Sequence, residues 1–200
     1  MLVLREKMDT KSMVKISILS VLAFIIMFFE APLWFAPPFL EIDLSDLPAL
    51  IGAFAMGPVA GVVIELLKNI LNIGLQGTDT AGIGELANFI VGSLFVFSAS
   101  SIYFRKKSLK NAIIGMIVGT IVMAVAMSVA NYFVLIPFYS KAYGMPIEAI
   151  IGMASKVNSI VVDLKTFIIY TVVPFNLIKG VLLSVLALPL YKKLAPILKR

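Results

Sequence analysis

The 200-residue chain contains no cysteine and no histidine. Without thiols it has no disulfide, no thiolate nucleophile and no thiolate metal site. Without imidazole it lacks the commonest general base and metal ligand. An intramembrane hydrolase with a histidine base and a histidine-ligated metal enzyme are therefore both excluded. No G-x-x-x-x-G-K-[ST] phosphate loop occurs either. No catalytic residue, metal site or cofactor is expected, and no nucleic acid partner. Charge is also scarce: 14% of residues are charged and 60% are hydrophobic, with a mean hydropathy of +1.04. A soluble domain would be about half apolar and about a quarter charged. These proportions describe an integral membrane protein, and a chain this short makes one compact bundle, a single domain over residues 1–200.

Apolar segments fall at 13–31, 46–56, 58–73, 83–104, 111–135 and 173–191. The first follows a basic N-terminus, as a signal peptide would. It runs into Glu30 and then Leu33, Trp34 and Phe35 without a small-residue cleavage pattern, so we read it as a retained span. The second and third are short against the roughly 20 residues that cross a bilayer, and 47–73 read as one long helix is the alternative. Basic residues, which favour the cytoplasmic side, arbitrate. Arg5, Lys7, Lys11 and Lys15 form one cluster, Arg105, Lys106, Lys107 and Lys110 a second, and Lys192, Lys193, Lys199 and Arg200 a third. All three share a side only if the chain breaks at Gly57-Pro58, where Pro58 suits the first turn of a new helix. The expected fold is an all-α bundle of six transmembrane helices with both termini cytoplasmic. Its outer loops are roughly 32–45, 74–82 and 136–172, the last carrying a surface helix over 147–163.

The stretch from Glu41 to Asn69 conflicts most with ordinary membrane burial. It opens on an acidic turn, breaks at Gly57-Pro58 and carries Glu65, Lys68 and Asn69 in an apolar run. Ionisable residues at membrane depth are costly and face a pocket, a partner or water. In the six-span arrangement Lys68, Asn69 and Asn72 share a helix face near its outer end. Glu85 and Asn88, Asn131, and Asn176 with Lys179 join them in the outer half of the membrane, while the inner halves are almost free of polar groups. That is a pocket open to the outside. Glu65 and Glu85 balance Lys68 and Lys179, which suits a neutral, hydrogen-bonding ligand. Trp34, Phe35 and Phe39 of the first outer loop are candidates to cover an aromatic ring.

Structural readings stand beside these. Glu65 pairs with Lys68, Glu85 caps its helix, and Asp43, Ser45 and Asp46 cap the second span. Trp34 and Tyr139 are interfacial belt residues. Lys179 has no acidic partner near it in sequence. Gly57-x-x-x-Gly61, Gly115-x-x-x-Gly119 and a stripe of Ser17, Ser20 and Ala23 mark close helix approach, within the bundle or against another membrane subunit.

The residues Leu44-Ser45-Asp46-Leu47-Pro48-Ala49-Leu50, then GPVAGVVIELLKN at 57–69 and GELANFIVG at 84–92, resemble the riboflavin-binding S components of energy-coupling factor (ECF) vitamin transporters. Asn131-Tyr132 and Asn176-x-x-Lys179 extend the resemblance along most of the chain. It implies six helices and a vitamin site near the outer face, covered by the loop after the first helix. It implies riboflavin contacts from Asn131, Asn176 and Lys179, with FMN or a close analogue the alternative ligand. Asp46, Lys68, Glu85, Asn88 and Trp34 complete the expected substrate-binding set. Partners implied are a membrane scaffold subunit and two cytoplasmic ATPases, in the cell membrane. The family's Ala-x-x-x-Ala docking pattern is only approximated here by Ser17, Ser20 and Ala23. A rival function is a stand-alone secondary transporter of a small neutral vitamin-like solute. It calls for coupling-ion sites and internal repeats, neither of which is evident.

Overall fold

The computed structural model describes residues 9–78 and 80–198, with side chains as far as Lys193. Arg5, Lys7, Lys199 and Arg200 of the basic clusters lie outside the described residues. Helix α1 spans Thr10–Met27 and starts at Asp9, whose carboxylate accepts the Ser12 N–H at 2.8 Å. It stops before the apolar run does. The Phe28 and Phe29 N–H groups bond the carbonyls of Ile25 and Ile26, three residues back, which tightens and ends the helix. Ala31–Pro32 (β1) then pairs antiparallel with Glu41–Ile42 (β2), closing the first loop on itself.

Helix α2, Asp46–Met56, and α3, Pro58–Leu75, are separate helices. Gly57 between them has φ 110°, a conformation that favours glycine. Every residue of α2 from Asp46 to Phe54 is buried, and the helix packs against α1, α3, α4 (Ile83–Arg105) and α9 (Val173–Leu198). A helix apolar on all sides belongs in a core. Its 11 residues measure only about 16 Å, roughly half the hydrocarbon thickness. Five longer helices are long and apolar enough to cross a membrane: α1, α3, α4 and the continuous stretches Leu109–Ala142 and Leu164–Lys193. They turn large apolar side chains outward, among them Ile18, Ile117, Ile121, Val125, Val181 and Val185, as a lipid-facing surface requires.

The segment expected as an outer loop, 136–172, is corrected by the structure. Helix α5 (Leu109–Ala130) continues through a π turn at Asn131–Leu135 into α6 (Ile136–Ala142). Helix α8 (Leu164–Phe167) continues through a second π turn at Ile168–Val172 into α9. Each π turn lies immediately before a proline-bearing turn, at Pro137 and Pro174. A proline inside a helix removes one backbone donor and crowds the carbonyl four residues back, and local π geometry accommodates that. The carbonyl of Tyr170, four residues before Pro174, accepts the Asn158 side-chain amide at 3.4 Å. Between the two long helices, α7 covers only Ile147–Ser155 of the expected 147–163 helix. It buries Ile150, Ile151 and Ala154 against Val161, Phe167 and Ile168 in a second small core. The Ser155 hydroxyl bonds the carbonyls of Ile151 and Val161, which fixes the turn after α7.

The glycine pairs serve packing within the bundle. A Cβ at Gly119 would lie 2.8 Å from the Phe95 carbonyl oxygen, and one at Gly115 would strike the Ala99 carbonyl. Helices α4 and α5 thus meet backbone to backbone. Gly61 is likewise covered by Ala53 of α2, 2.6 Å from where its Cβ would stand.

Candidate functional site

The N-terminal end of α2 lies beneath the first loop, and five ionisable side chains converge on it. Lys68 Nζ of α3 donates to Asp46 Oδ1 at 2.7 Å and to Ser45 Oγ at 3.0 Å, and lies 2.6 Å from Glu65 Oε2. Lys179 Nζ of α9 donates to Asp43 Oδ2 at 3.0 Å and lies 3.1 Å from Asp46 Oδ2. Asp46 therefore bridges the two lysines. All five groups are buried. Charges held away from water persist only when paired and hydrogen-bonded, so this cluster fixes the loop, α2, α3 and α9 relative to one another. Asp43 Oδ1 also accepts the Ser45 N–H at 2.7 Å, turning the chain into α2. Burial alone would raise the Asp43 carboxyl. The Lys179 and Lys68 ammoniums and the Ser45 hydrogen bond outweigh it and hold that carboxyl well below the usual range.

Three sequence expectations change here. Lys179 has acidic partners, Asp43 and Asp46, and Asp43 comes from 136 positions away. Ser45 makes no side-chain cap on α2; its hydroxyl accepts from Lys68 instead. Glu85 belongs to a different group, where its Oε2 accepts from Thr78 and Thr80 hydroxyls at 3.0 Å each and ties both threonines to the start of α4. With Glu85 outside and Asp43 and Asp46 inside, three carboxylates face two ammoniums. The cluster carries one excess formal negative charge rather than none. Asp43 and Ser45 were the residues the pocket reading missed. The signal was available as two lysines in apolar runs beside an acidic turn, since buried cations require nearby anions.

The amides that were expected in the site are mostly buried as well. Asn69 and Asn72 of α3, Asn131 at the first π turn and Asn176 of α9 are buried, and Asn88 of α4 is half-buried. Asn131 Nδ2 donates to the Met127 carbonyl at 2.9 Å and Asn176 Nδ2 to that of Val172 at 2.8 Å. Each side chain is thereby clamped to its own helix. Phe39 of the first loop reaches the Phe167 ring, with centroids 6.4 Å apart, so the loop leans on α8. Trp34 stacks edge-on with Phe35 and is 82% exposed, a position on the outer surface of the loop rather than over the cluster. Of the docking stripe, Ser17 is exposed while Ser20 and Ala23 are buried inside the bundle.

A helical membrane bundle with a buried ion-pair cluster at the foot of its first loop, and buried asparagines on three helical stretches, matches one class of protein. The family model of the substrate-specific component of ECF transporters matches residues 11–191, and the chain belongs to that family. Similar proteins include the riboflavin transporter RibU of Staphylococcus aureus (strain TCH60), 40% identical over 192 residues, covering 96% of this chain and 94% of that one. The riboflavin transporter FmnP of Bacillus subtilis (strain 168) is 34% identical, covering 94% of each. A solved structure of the S component of a bacterial ECF transporter superposes with a TM-score of 0.72 at 38% identity, covering 95% of this chain and 98% of that one. The chain is thus a non-enzymatic, substrate-capturing membrane subunit.

Proposed function

We propose that this subunit captures riboflavin at the outer face of the cell membrane and delivers it inward with a scaffold subunit and two cytoplasmic ATPases. The observation that carries the reading is the site itself. Asp43, Asp46, Glu65, Lys68 and Lys179 form a buried charged cluster in a chain 40% identical to a riboflavin transporter over nearly its full length. Asn131, Asn176 and Lys179 hold the polar edge of the flavin, and Lys68, Asp46, Glu85 and Asn88 shape the remainder.

In this arrangement both termini are cytoplasmic and the chain makes six crossings. Helix α2, too short alone, starts below the outer surface. Asp43 and Ser45 of the loop reach down to it, and irregular backbone is tolerated at that depth because it is buried in protein. The test is titration of the purified protein in detergent. The emission of riboflavin and of the tryptophan should both be quenched with saturation, and FMN titrated alongside shows whether a phosphate is tolerated. A protein that binds neither flavin, or that accumulates solute alone under an ion gradient, sinks the reading and favours the stand-alone transporter.

A further inference from the structure

Helices α5 and α9 run antiparallel: Met127 and Tyr132, at and just after the end of the first, share a small core with Ile168 and Val172 at the start of the second. A Cβ at Gly180 of α9 would lie 2.8 Å from Thr120 Cβ of α5, so these two residues are level. Beside that contact the helices leave an apolar groove between Ile113, Ile117 and Ile121 of α5 and Leu177, Val181 and Leu188 of α9. Ile117, Ile121 and Val181 are each more than half exposed along it.

Three features say what fills the groove. Its two hydroxyls are spent on their own helices, Thr120 Oγ1 on the Met116 carbonyl at 2.8 Å and Ser184 Oγ on the Gly180 carbonyl at 2.6 Å. The wall therefore offers no free proton donor and suits hydrocarbon. The groove runs about 12 Å along α5 and about 16 Å along α9 at 1.5 Å per residue, roughly half the hydrocarbon thickness and so the depth of one leaflet. On both helices it ends at a lysine. Lys110 precedes Ile113 by three residues and Lys192 follows Leu188 by four, close to one turn in each case. Counted from the Thr120–Gly180 contact, Lys110 lies about 15 Å and Lys192 about 18 Å away, in the same direction because the helices are antiparallel. The helical repeat puts each lysine on the groove side of its helix, and both are exposed. Neither helix carries an acidic residue, and among the described residues neither lysine makes an ion pair.

We infer that the α5–α9 groove seats an acyl chain of an anionic phospholipid whose headgroup lies between Lys110 and Lys192. The chain fills the groove over the depth of its leaflet, and the two ammoniums meet the phosphate at the surface. Basic positions between membrane helices recognise anionic lipid in this way. A zwitterionic phospholipid brings the same chain, but its own cation opposes the lysines, so the lysines set the selectivity. The site uses neither the ion-pair cluster nor the asparagines and stands whether or not the transported ligand is a flavin.

The test is native mass spectrometry of the detergent-purified protein titrated with dioleoyl phosphatidylglycerol or dioleoyl phosphatidylcholine. The wild type should hold one phosphatidylglycerol at least about tenfold more tightly than phosphatidylcholine. Lys110→Gln and Lys192→Gln should each weaken phosphatidylglycerol about fivefold and leave phosphatidylcholine within about twofold. Lys193→Gln, one residue further but about 100° round the helix, should leave both lipids unchanged. Val181→Trp, which puts a ring into the groove from an exposed position, should weaken both. If that variant is not recovered folded, Val185→Phe, on the same wall, answers in its place. Equal affinity of the wild type for the two lipids, equal losses from Lys192→Gln and Lys193→Gln, or undiminished lipid binding with the groove filled overturns the site. A lipid-free dimer that Val181→Trp splits into monomers would assign the groove to a second copy instead.

Discussion

Lys179 Nζ and Asp43 Oδ2 meet at 3.0 Å across 136 positions of sequence, and the pair is the bond that ties the first loop to the last long helix. Removing Asp43 takes one of the two carboxylate partners of Lys179 and leaves the other, Asp46 at 3.1 Å, so the cost should fall below the about 3–5 kcal/mol of a fully stranded buried charge. Asp43→Ala should therefore lower the melting temperature in detergent clearly. A matched cycle of Asp43→Asn, Lys179→Met and the double variant measures the coupling: the loss in the double variant should be smaller than the sum of the two single losses. Additive losses in the double variant would mean that the two side chains act independently.

The same carboxylate sets a pH dependence. Its pKa in the folded protein is held below the ordinary value, so its contribution is fully present above the unfolded-state pKa of about 3.9. It is lost as pH falls through the lower, folded value. The stability gap between wild type and Asp43→Asn should be constant from pH 6 to 8 and close only as the buffer drops below about pH 4. A gap that closes near neutrality would assign the effect to another group.

Gly92 permits α4 to approach the carboxylates of Glu65 and Asp46. Gly92→Ala should destabilise by about 1–3 kcal/mol through overpacking and weaken ligand binding with it. Gly74, on the exposed outer end of α3, has nothing within 4 Å of its Cβ position. There Gly74→Ala should be neutral or stabilising by up to about 1 kcal/mol, the ordinary helix preference. Thermal unfolding of the two variants side by side separates contact from propensity.

Local features were legible in the sequence and long-range ones were not. The break at Gly57-Pro58 was readable because a proline at a helix start and a glycine beside it are local backbone chemistry. The polar residues of α3, α4 and α9 were readable because any such residue in an apolar run requires a reason. The Lys179–Asp43 pair was legible only as a need: a lysine in an apolar run requires an acid, but the sequence does not single out which distant one. The continuation of both long helices past Pro137 and Pro174 was also missed. Proline is an ordinary helix stop in water, and only the two preceding π turns allow the helices to run on. Glu85 was misassigned to the charged cluster because its true partners, Thr78 and Thr80, lie in a turn that composition alone does not fold.

Topology follows from the basic clusters and has a direct readout. A reporter fused after Lys107 should be cytoplasmic and one inserted near Thr78 external. The reverse result at Lys107 would mean that the N-terminal half crosses the membrane an odd number of times, with α2 buried in the bundle rather than counted as a crossing.

The ligand-facing role of α9 is tested by residues on the same helix at different depths. Asn176 and Lys179 are one turn apart and buried near the start of α9, just after the second π turn. Ser184 lines the apolar groove of about 410 Å³ between α5 and α9, and its hydroxyl is spent on the Gly180 carbonyl at 2.6 Å. Losing a buried hydrogen bond to the flavin costs about 1–3 kcal/mol, and each 1.4 kcal/mol is roughly tenfold in affinity. Asn176→Ala should thus weaken riboflavin about tenfold with its fold intact. Lys179→Ala should weaken it further, because that change also frees the loop that Asp43 anchors. Ser184→Ala should leave binding unchanged. Trp34 is the sole tryptophan, so its emission reports on the first loop alone. Its exposed setting predicts a solvent-like spectrum without ligand and quenching on titration, as flavin binding draws the loop down. Asn176→Ala and Lys179→Ala proteins that bind as tightly as wild type would remove α9 from the site.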